Sequence, residues 1–263
     1  MQDLLEIQAQ TIDAVKKAGA FIMHEVGKVE YNDVETKSLN SLVTYVDKNA
    51  EKILVEELRK IIPNATFLTE ENTVEEQEGE WQWIIDPLDG TTNFIHQLPV
   101  FAVSVGLKHN DEIVVGVVLE LNRNECFYAS KGNGAFLNGN KISVSKRPSL
   151  ADSLIATGFP YYDYSLLENY INVFKRLMTS TRGIRRLGSA ATDLCYTACG
   201  RFDAFFEYSL SPWDVAAGAL ILQEAGGKIY DFKGGNNWLH GKQIIGSNTI
   251  ISNEILQIIR EEF

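Results

Sequence analysis

The sequence predicts a layered protein of the α+β or mixed α/β class, and three observations support this class. Two long helical patterns come first along the chain. Strand patterns then cluster between residues 101 and 144, where the turn signal Asn138-Gly139 indicates hairpins and an antiparallel sheet. From residue 154 onward, strand patterns alternate with helical ones. An antiparallel half joined to an alternating half is typical of α and β structure packed in layers.

The first part of the chain is predicted to form two amphipathic helices and two short strands. Apolar side chains recur at helical spacing in both helices, and Pro63 ends the second. An acidic residue stands at the end of each strand: Glu70 follows the first, and Asp86 is the last residue of the second. In order, the predicted elements are a helix over 3–26, a loop over 27–42, a helix over 45–62, a strand over 65–68 and a strand over 81–86.

The chain is predicted to form one domain, 1–263, with two lobes. A boundary near residues 149–153 would give lobes of roughly 1–149, with the antiparallel sheet, and 150–263, with the alternating part. The remaining predicted strands cover 101–107, 113–121, 126–130, 141–144, 154–157, 202–206, 228–232 and 244–247, and the remaining predicted helices cover 166–178, 189–199, 213–225 and 253–261.

Composition and charge restrict the class of function. The chain of 263 residues is 45% hydrophobic and 22% charged, which is ordinary for a globular protein. Its net charge of −11 argues against nucleic acid as the main partner. We expect a cytoplasmic protein without a membrane partner. Met1 begins no signal pattern, no apolar run reaches spanning length, and the three cysteines form no C-x-x-C pair.

The most informative segment is an apolar run that ends at Asp86 and is followed by a turn. Asp89 stands three residues later, and two carboxylates this close repel each other unless a cation lies between them. The backbone N–H groups of Gly90, Thr91 and Thr92 are placed to face an anion. The segment therefore indicates a divalent metal beside a phosphate-binding turn. Its D-x-x-D spacing differs from the calcium loop of EF-hands, and the chain contains no P-loop sequence.

Four regions of the chain resemble the inositol monophosphatase family. Asp86–Phe94, with the sequence DPLDGTTNF, is similar to the central signature of that family, and Trp213–Gly218 with Glu224–Gly227 is similar to its second signature. Leu42–Asp47 and Phe67–Glu71 also agree, and all four regions follow the family's order. The resemblance implies an α-β-α-β-α sandwich. It also implies a lithium-sensitive, homodimeric phosphomonoesterase with two or three Mg²⁺ ions.

The resemblance implies a set of metal ligands. These are the carboxylates of Glu70, Asp86, Asp89 and Asp214 and the backbone carbonyl of Leu88. Each acid also has a local alternative. Asp86 and Asp89 could be ordinary strand-end and turn acids, and Glu70 belongs to an acidic run that is typical of solvated surface. Asp214 follows a serine and a proline, which is typical of a helix start, and that role is compatible with metal binding.

A second implied group would activate the attacking water. The resemblance pairs Asp47 with the hydroxyl of Thr91, and Glu70 contributes to the same step. The sequence around Asp47 by itself favours a capping box with Thr44, with aspartate in place of glutamate. Lys37 lies where the family tends to have a lysine near the metals, but an ordinary surface lysine is an equal alternative.

The implied substrate contacts extend from the phosphate to a polyol. Ser189 would begin a helix and is a good N-cap, and Glu207 could be a solvated acid at a strand end. The resemblance instead places both against the substrate. The implied substrate-binding residues are Asp89, Gly90, Thr91, Thr92, Gly188, Ser189, Ala190, Glu207 and Asp214.

The predicted reaction is hydrolysis of a phosphate monoester by metal-activated water, with myo-inositol 1-phosphate as the expected substrate. Thr92 and Glu207 favour this polyol ester over other esters that relatives hydrolyse. The alternatives are fructose 1,6-bisphosphate, 3′-phosphoadenosine nucleotides and histidinol phosphate. An alternative of another class is a catalytically weak regulatory or binding protein on the same fold.

Overall fold

The computed structural model of the chain describes residues 3–38, 41–160 and 163–263, and those ranges contain seven α-helices and fourteen β-strands. The helices are α1 Leu4–Glu25, α2 Tyr45–Ile61, α3 Thr91–Ile95, α4 Leu167–Ser180, α5 Ala190–Ala198, α6 Pro212–Glu224 and α7 Ser252–Arg260. The strands are β1 Glu35–Ser38, β2 Ser41–Val43, β3 Thr66–Thr69, β4 Trp81–Asp89, β5 Ala102–His109, β6 Glu112–Glu120, β7 Glu125–Ser130, β8 Ala135–Leu137, β9 Asn140–Lys141, β10 Leu154–Thr157, β11 Gly183–Arg185, β12 Ala204–Tyr208, β13 Lys228–Tyr230 and β14 Gln243–Ser247.

The strands form two large sheets and one small ribbon. The seven-stranded sheet runs β3-β4-β5-β6-β7-β8-β9, and every neighbouring pair except β3 and β4 is antiparallel. The five-stranded sheet runs β11-β10-β12-β14-β13, with β10 parallel to both of its neighbours and β14 antiparallel to both of its own. Strands β1 and β2 pair antiparallel by themselves. The predicted mixed class is confirmed.

Helices and sheets alternate in five layers, which confirms the α-β-α-β-α sandwich. Helices α1 and α2 cover one face of the seven-stranded sheet, and α5 and α6 lie between the two sheets. Helices α4 and α7 cover the outer face of the five-stranded sheet. Helix α6 is buried from Val215 to Leu222 because both of its sides face protein. A Cβ atom at Gly116 in β6 would lie 2.7 Å from the Ala217 carbonyl, so this glycine allows α6 to approach the sheet.

The differences from the sequence prediction concern short elements. The predicted loop over 27–42 contains β1 and β2, and the strand predicted over 141–144 covers only Asn140–Lys141. Helix α3 and strands β8 and β11 were not predicted, because elements of three to five residues carry too little periodicity. Around the expected lobe boundary, a 3₁₀ turn at Leu150–Asp152 precedes the first strand of the second sheet. The division into lobes stays a prediction.

None of the helices in the described part of the chain has the length and apolar character needed to cross a membrane.

Candidate active site

Three aspartates come together where β4 meets the start of α6. The ladder between β4 and β5 is interrupted between Asp86 and Asp89, and this irregularity brings two acids three residues apart to the same place. The N–H of Leu88 donates to Oδ1 of Asp86 at 3.0 Å and closes the turn. Asp214 enters from α6, and one carboxylate oxygen from each aspartate lies within 4.8 Å of the others.

The electrostatics of this cluster favour a bound cation. Burial raises the pKa of Asp86 well above its ordinary value, and the charges of Glu70, Asp89 and Asp214 raise it further. Burial also raises the pKa of Asp89 to about 6, although hydrogen bonds from Ser189 and Ala191 oppose the shift. Like charges so close are stable together only when they are protonated or share a cation. Oxygen ligands of this kind suit Mg²⁺, so the residues fit the metal that the sequence predicts.

Glu70 faces the same cluster from the end of β3. Its backbone N–H donates to the carbonyl of Ile85 at 3.2 Å, which places it beside β4. Its charge raises the pKa of Asp47, Asp86 and Asp89, so its carboxylate lies near all three. The structure therefore brings the four predicted metal acids together in one place.

Glu51 positions the loop after Glu70 and was not identified from the sequence. It is fully buried on α2, where Oε2 accepts from the N–H of Glu71 at 2.8 Å. Its Oε1 accepts from the N–H and the hydroxyl of Thr73 at 2.8 and 2.7 Å. The signal was present in the sequence, because Glu51 follows Asp47 by four residues on a helix face that is otherwise apolar.

Asp47 has both of the roles considered for it. At the start of α2, its Oδ2 accepts from the backbone N–H and the hydroxyl of Thr44 at 2.8 and 2.7 Å, which completes a capping box. Its Oδ1 accepts from the hydroxyl of Thr91 at 2.8 Å. Asp47 is 1% exposed, and burial is the main cause that raises its pKa. The hydroxyl of Thr91 also lies 3.0 Å from the Leu88 carbonyl, so Thr91 connects Asp47 to the acid cluster.

Asp214 likewise combines a capping role with a place in the cluster. It is the third residue of α6, and its Oδ2 accepts from the N–H of Ser211 at 2.6 Å. Pro212 occupies the first turn, where its missing N–H costs nothing.

Two glycines bring the predicted phosphate turn against the start of α5. Gly90 has φ +98°, and a Cβ atom there would lie 3.1 Å from the Val100 carbonyl and 3.2 Å from the Gly188 carbonyl. Gly188 has φ +92°. Asn93 joins the two loops, because its Nδ2 donates to the carbonyls of Val100 and Leu187 at 2.7 and 2.8 Å. A larger side chain at either glycine would separate the loops.

The start of α5 positions Asp89. Ser189 is the N-cap of α5, and its Oγ accepts from the N–H of Thr192 at 3.2 Å. The same hydroxyl lies 2.7 Å from Oδ2 of Asp89, and the N–H of Ala191 donates to that oxygen at 2.8 Å. The capping role predicted for Ser189 is confirmed, and the residue also contacts a metal acid.

These residues surround one cavity of about 130 Å³. Asp47 is outside its lining and reaches it through Thr91. Glu207, on β12, is 5% exposed and not solvated, and its pKa is raised well above the ordinary value by burial first. The lining includes Glu70, Asp86, Leu88, Asp89, Gly90, Thr91, Thr92, Gly188, Ser189, Ala190, Glu207 and Asp214.

Other lining residues were not identified from the sequence. Arg186 and Asp193 line the cavity together with Gly158 and Ser209. An arginine between a short strand and a helix start carries no motif, and Asp193 resembles any acid in a first helical turn. The side chain of Lys37 is outside the described residues, so its predicted place near the metals is not tested.

Comparison with known proteins finds relatives that match nearly the whole chain. The sequence profile of the inositol monophosphatase family matches residues 3–262. The chain is 44% identical to a Nus factor SuhB of Pseudomonas aeruginosa over 99% of this chain and 97% of that protein. It is 38% identical to an inositol-1-monophosphatase of Mesorhizobium japonicum over 95% of this chain and 94% of that protein. The crystal structure of extragenic suppressor protein suhB from Bartonella henselae has a TM-score of 0.93 and 39% identity, with coverage of 98% of this chain and 100% of the other.

Proposed function

The chain belongs to the inositol monophosphatase family, and from that premise we propose that it is a Mg²⁺-dependent phosphomonoesterase. One observation carries the proposal. The cluster of Asp86, Asp89 and Asp214, with Glu70 beside it, lines the same cavity as Thr91, which is paired with Asp47. A metal site that served only stability would not require a buried acid–hydroxyl pair at its edge.

The residues that would bind Mg²⁺ are Glu70, Asp86, Asp89, Asp214 and the carbonyl of Leu88. When bound, the metal would neutralise the phosphate and the leaving alkoxide and lower the pKa of the attacking water. Two or three ions could be held by this number of oxygen ligands.

The remaining steps belong to side chains and backbone groups of the chain itself. Thr91 donates its proton to Asp47, so its lone pairs can accept a hydrogen bond from the attacking water. Asp47 then supports removal of a proton from that water, and its raised pKa improves it as a base. The backbone N–H groups of Gly90 and Thr91 would bind phosphate oxygens. Water would attack in line, since phosphoryl transfer mainly requires positioning and charge neutralisation.

The proposed substrate is myo-inositol 1-phosphate. The buried acid Glu207 supports this choice, since a polyol can donate hydrogen bonds to it, and so does the name of the Mesorhizobium japonicum relative. Fructose 1,6-bisphosphate, 3′-phosphoadenosine nucleotides and histidinol phosphate are the competing esters. Lithium inhibition and a homodimer are further proposals from the family resemblance, and a cytoplasmic location is a further proposal from the sequence.

The test is phosphate release with Mg²⁺ from a matched panel. It contains D- and L-myo-inositol 1-phosphate, fructose 1,6-bisphosphate, adenosine 3′,5′-bisphosphate and histidinol phosphate. Preference for the inositol esters would support both the reaction and the substrate. Preference for another ester would retain the reaction and reject the substrate.

A second candidate function is a role as a Nus factor, because relatives up to 44% identical carry that name. On this alternative the chain would be a catalytically weak regulatory or binding protein. A folded, Mg²⁺-binding protein that releases phosphate from none of the esters would favour it over the phosphatase.

A further inference from the structure

One part of the cavity is not explained by metal binding. Gly158, Arg186, Asp193 and Glu207 form a surface that we name the second wall. It combines two buried acids with one guanidinium. The ring of Phe159 lies 5.5 Å from the Arg186 guanidinium carbon, which positions that side chain at the rim.

Asp193 is the unusual member of the second wall. It is 1% exposed, and its Oδ1 has no hydrogen-bond partner among the residues that the structure describes. Two other deeply buried acids, Glu51 and Glu120, are satisfied by hydrogen bonds within the described residues. Glu51 accepts three hydrogen bonds, and Glu120 accepts from the N–H groups of Asn122 and Arg123. An unpaired buried acceptor lowers stability, so its presence in a cavity wall indicates a ligand that supplies the missing donor.

The chain makes room for the second acid of this wall. A Cβ atom at position 158 would lie 2.0 Å from Cδ of Glu207, so the carboxyl group occupies the space that a side chain would take. The charge of Asp193 is the largest electrostatic influence on Glu207 after burial, which places the two acids near each other. Arg186 faces both and offsets part of their charge.

We propose that Asp193 is a specificity-determining residue which, together with Glu207, accepts hydrogen bonds from hydroxyl groups of a polyol phosphate. This inference rests on the proposed phosphatase function and names the class of leaving group. The two acids outnumber the one guanidinium of the second wall, so a leaving group that carried a second phosphate would be repelled. A neutral polyol satisfies both carboxyl groups without adding charge.

The test compares two esters across two variants. Asp193→Ala and Asp193→Asn are assayed with Mg²⁺ on myo-inositol 1-phosphate and on p-nitrophenyl phosphate, which has no hydroxyl to contact the wall. For Asp193→Ala we expect kcat/KM to fall about 10- to 100-fold on the inositol ester and to stay within about twofold on the aryl ester. Asp193→Asn keeps one acceptor oxygen and is expected to lose less.

Thermal unfolding separates this role from a structural one. Because the Asp193 carboxyl is buried without a partner for Oδ1, we expect both variants to melt at the wild-type temperature or above it. The matched control is Asp203→Asn. Asp203 is also buried, but it accepts from the N–H of Leu154 at 2.7 Å and pairs with Arg147 at 3.1 Å, so its variant should melt lower.

The outcomes are decisive in either direction. Equal loss on both esters with a lowered melting temperature would overturn the proposal, and so would unchanged kinetics on both. If Asp193→Ala lowers turnover of histidinol phosphate, whose leaving group carries an amine and an imidazole in place of several hydroxyl groups, more than that of the inositol ester, the polyol class is wrong. A wild-type protein inactive on every ester would reject the proposed function itself, and this result differs from a failure seen only in the comparison of variants.

Discussion

Helices α2 and α6 begin with the same local structure and use it differently. Each has an aspartate as its third residue whose carboxylate bonds back to the N-cap residue, Asp47 to Thr44 and Asp214 to Ser211. In both, Oδ2 accepts from the N–H of the capping residue. Asp47 is almost completely buried and turns Oδ1 toward the Thr91 hydroxyl, whereas Asp214 is partly exposed and lies in the acid cluster. The cap fixes the direction of the carboxylate, and its surroundings decide the chemistry.

The largest effect is expected for Asp214→Asn. Asparagine can still accept the capping hydrogen bond, so the helix should keep its start, but the charge available to a metal is lost. We expect kcat to fall by at least about 10³-fold and Mg²⁺ binding to weaken, with unchanged circular dichroism. Calorimetric titration with Mg²⁺ and steady-state kinetics measure both. Wild-type activity in the folded variant would show that Asp214 only caps α6.

Asp47→Asn should distinguish the role of the aspartate that caps α2 from the role of the aspartate that caps α6. It also preserves a capping acceptor, and Asp47 does not belong to the proposed ligand set. We therefore expect kcat to fall about 10²- to 10³-fold, as for loss of a general base, while Mg²⁺ affinity stays within about twofold. A matching variant is Thr91→Val, which removes the connecting hydroxyl, and Thr91→Ser should restore most of the activity. A Mg²⁺ affinity that fell as far as in Asp214→Asn would remove the distinction between the two caps.

The acid cluster around Asp214 should also give the metal-free protein a distinctive pH dependence. The pKa of Asp89 rises from an ordinary 3.8 to about 6 on folding, so the native state binds this proton more tightly than the unfolded state. Its contribution to stability is therefore greatest below about pH 4 and is lost as the pH rises toward 6, by at most about 3 kcal/mol.

Chemical denaturation between pH 4 and 7 with a chelator present measures this loss. Surface acids with lowered pKa values act in the opposite direction, so the informative quantity is the difference in unfolding free energy between the wild type and Asp89→Asn. The fall of this difference with rising pH should shrink when saturating Mg²⁺ is added. A difference that does not vary with pH would contradict the assigned titration.

A smaller effect is expected at Glu51, which connects α2 to the loop of Glu70. Glu51→Gln loses one of the two carboxylate acceptors that bind the Glu71–Thr73 backbone. We expect the half-saturating Mg²⁺ concentration to rise about 10-fold, with little change in kcat at saturation. Glu120→Gln is the matched control, because Glu120 is equally buried and positions a loop outside the cavity lining. If both variants shift the Mg²⁺ dependence alike, Glu51 has no special part in positioning the metal ligand.

The contrast between the two caps also shows what the sequence could predict. Long periodic elements predicted mixed α and β structure in layers, and the run from Asp86 to Phe94 predicted two of the acids and the phosphate turn, because these features depend on local sequence. The order of the five layers and the cavity residues contributed by distant segments were implied only by the family resemblance. Arg186 and Asp193 could not be predicted, since Asp193 meets Glu207 only through the packing of α5 against β12, and Arg186 lies in the segment between β11 and α5. The short strands β8 and β11 form by pairing with other strands of their sheets, so no local sequence pattern predicts them.

The smallest expected effects come from the capping residues themselves. Thr44→Ala removes a buried hydroxyl that donates to Oδ2 of Asp47 and accepts from the N–H of Val46, whereas Ser211 is partly exposed. We expect Thr44→Ala to cost about 1–2 kcal/mol and Ser211→Ala about 0.5–1 kcal/mol in urea unfolding. Activity should follow the same order, with a loss of a few-fold for Thr44→Ala, because the orientation of Asp47 depends on Thr44. Ser211→Ala leaves the N–H that binds Asp214 in place, so its kcat should be nearly unchanged. If Ser211→Ala lost more activity than Thr44→Ala, the orientation of Asp214 by the cap of α6 would matter more for catalysis than the orientation of Asp47 by the cap of α2.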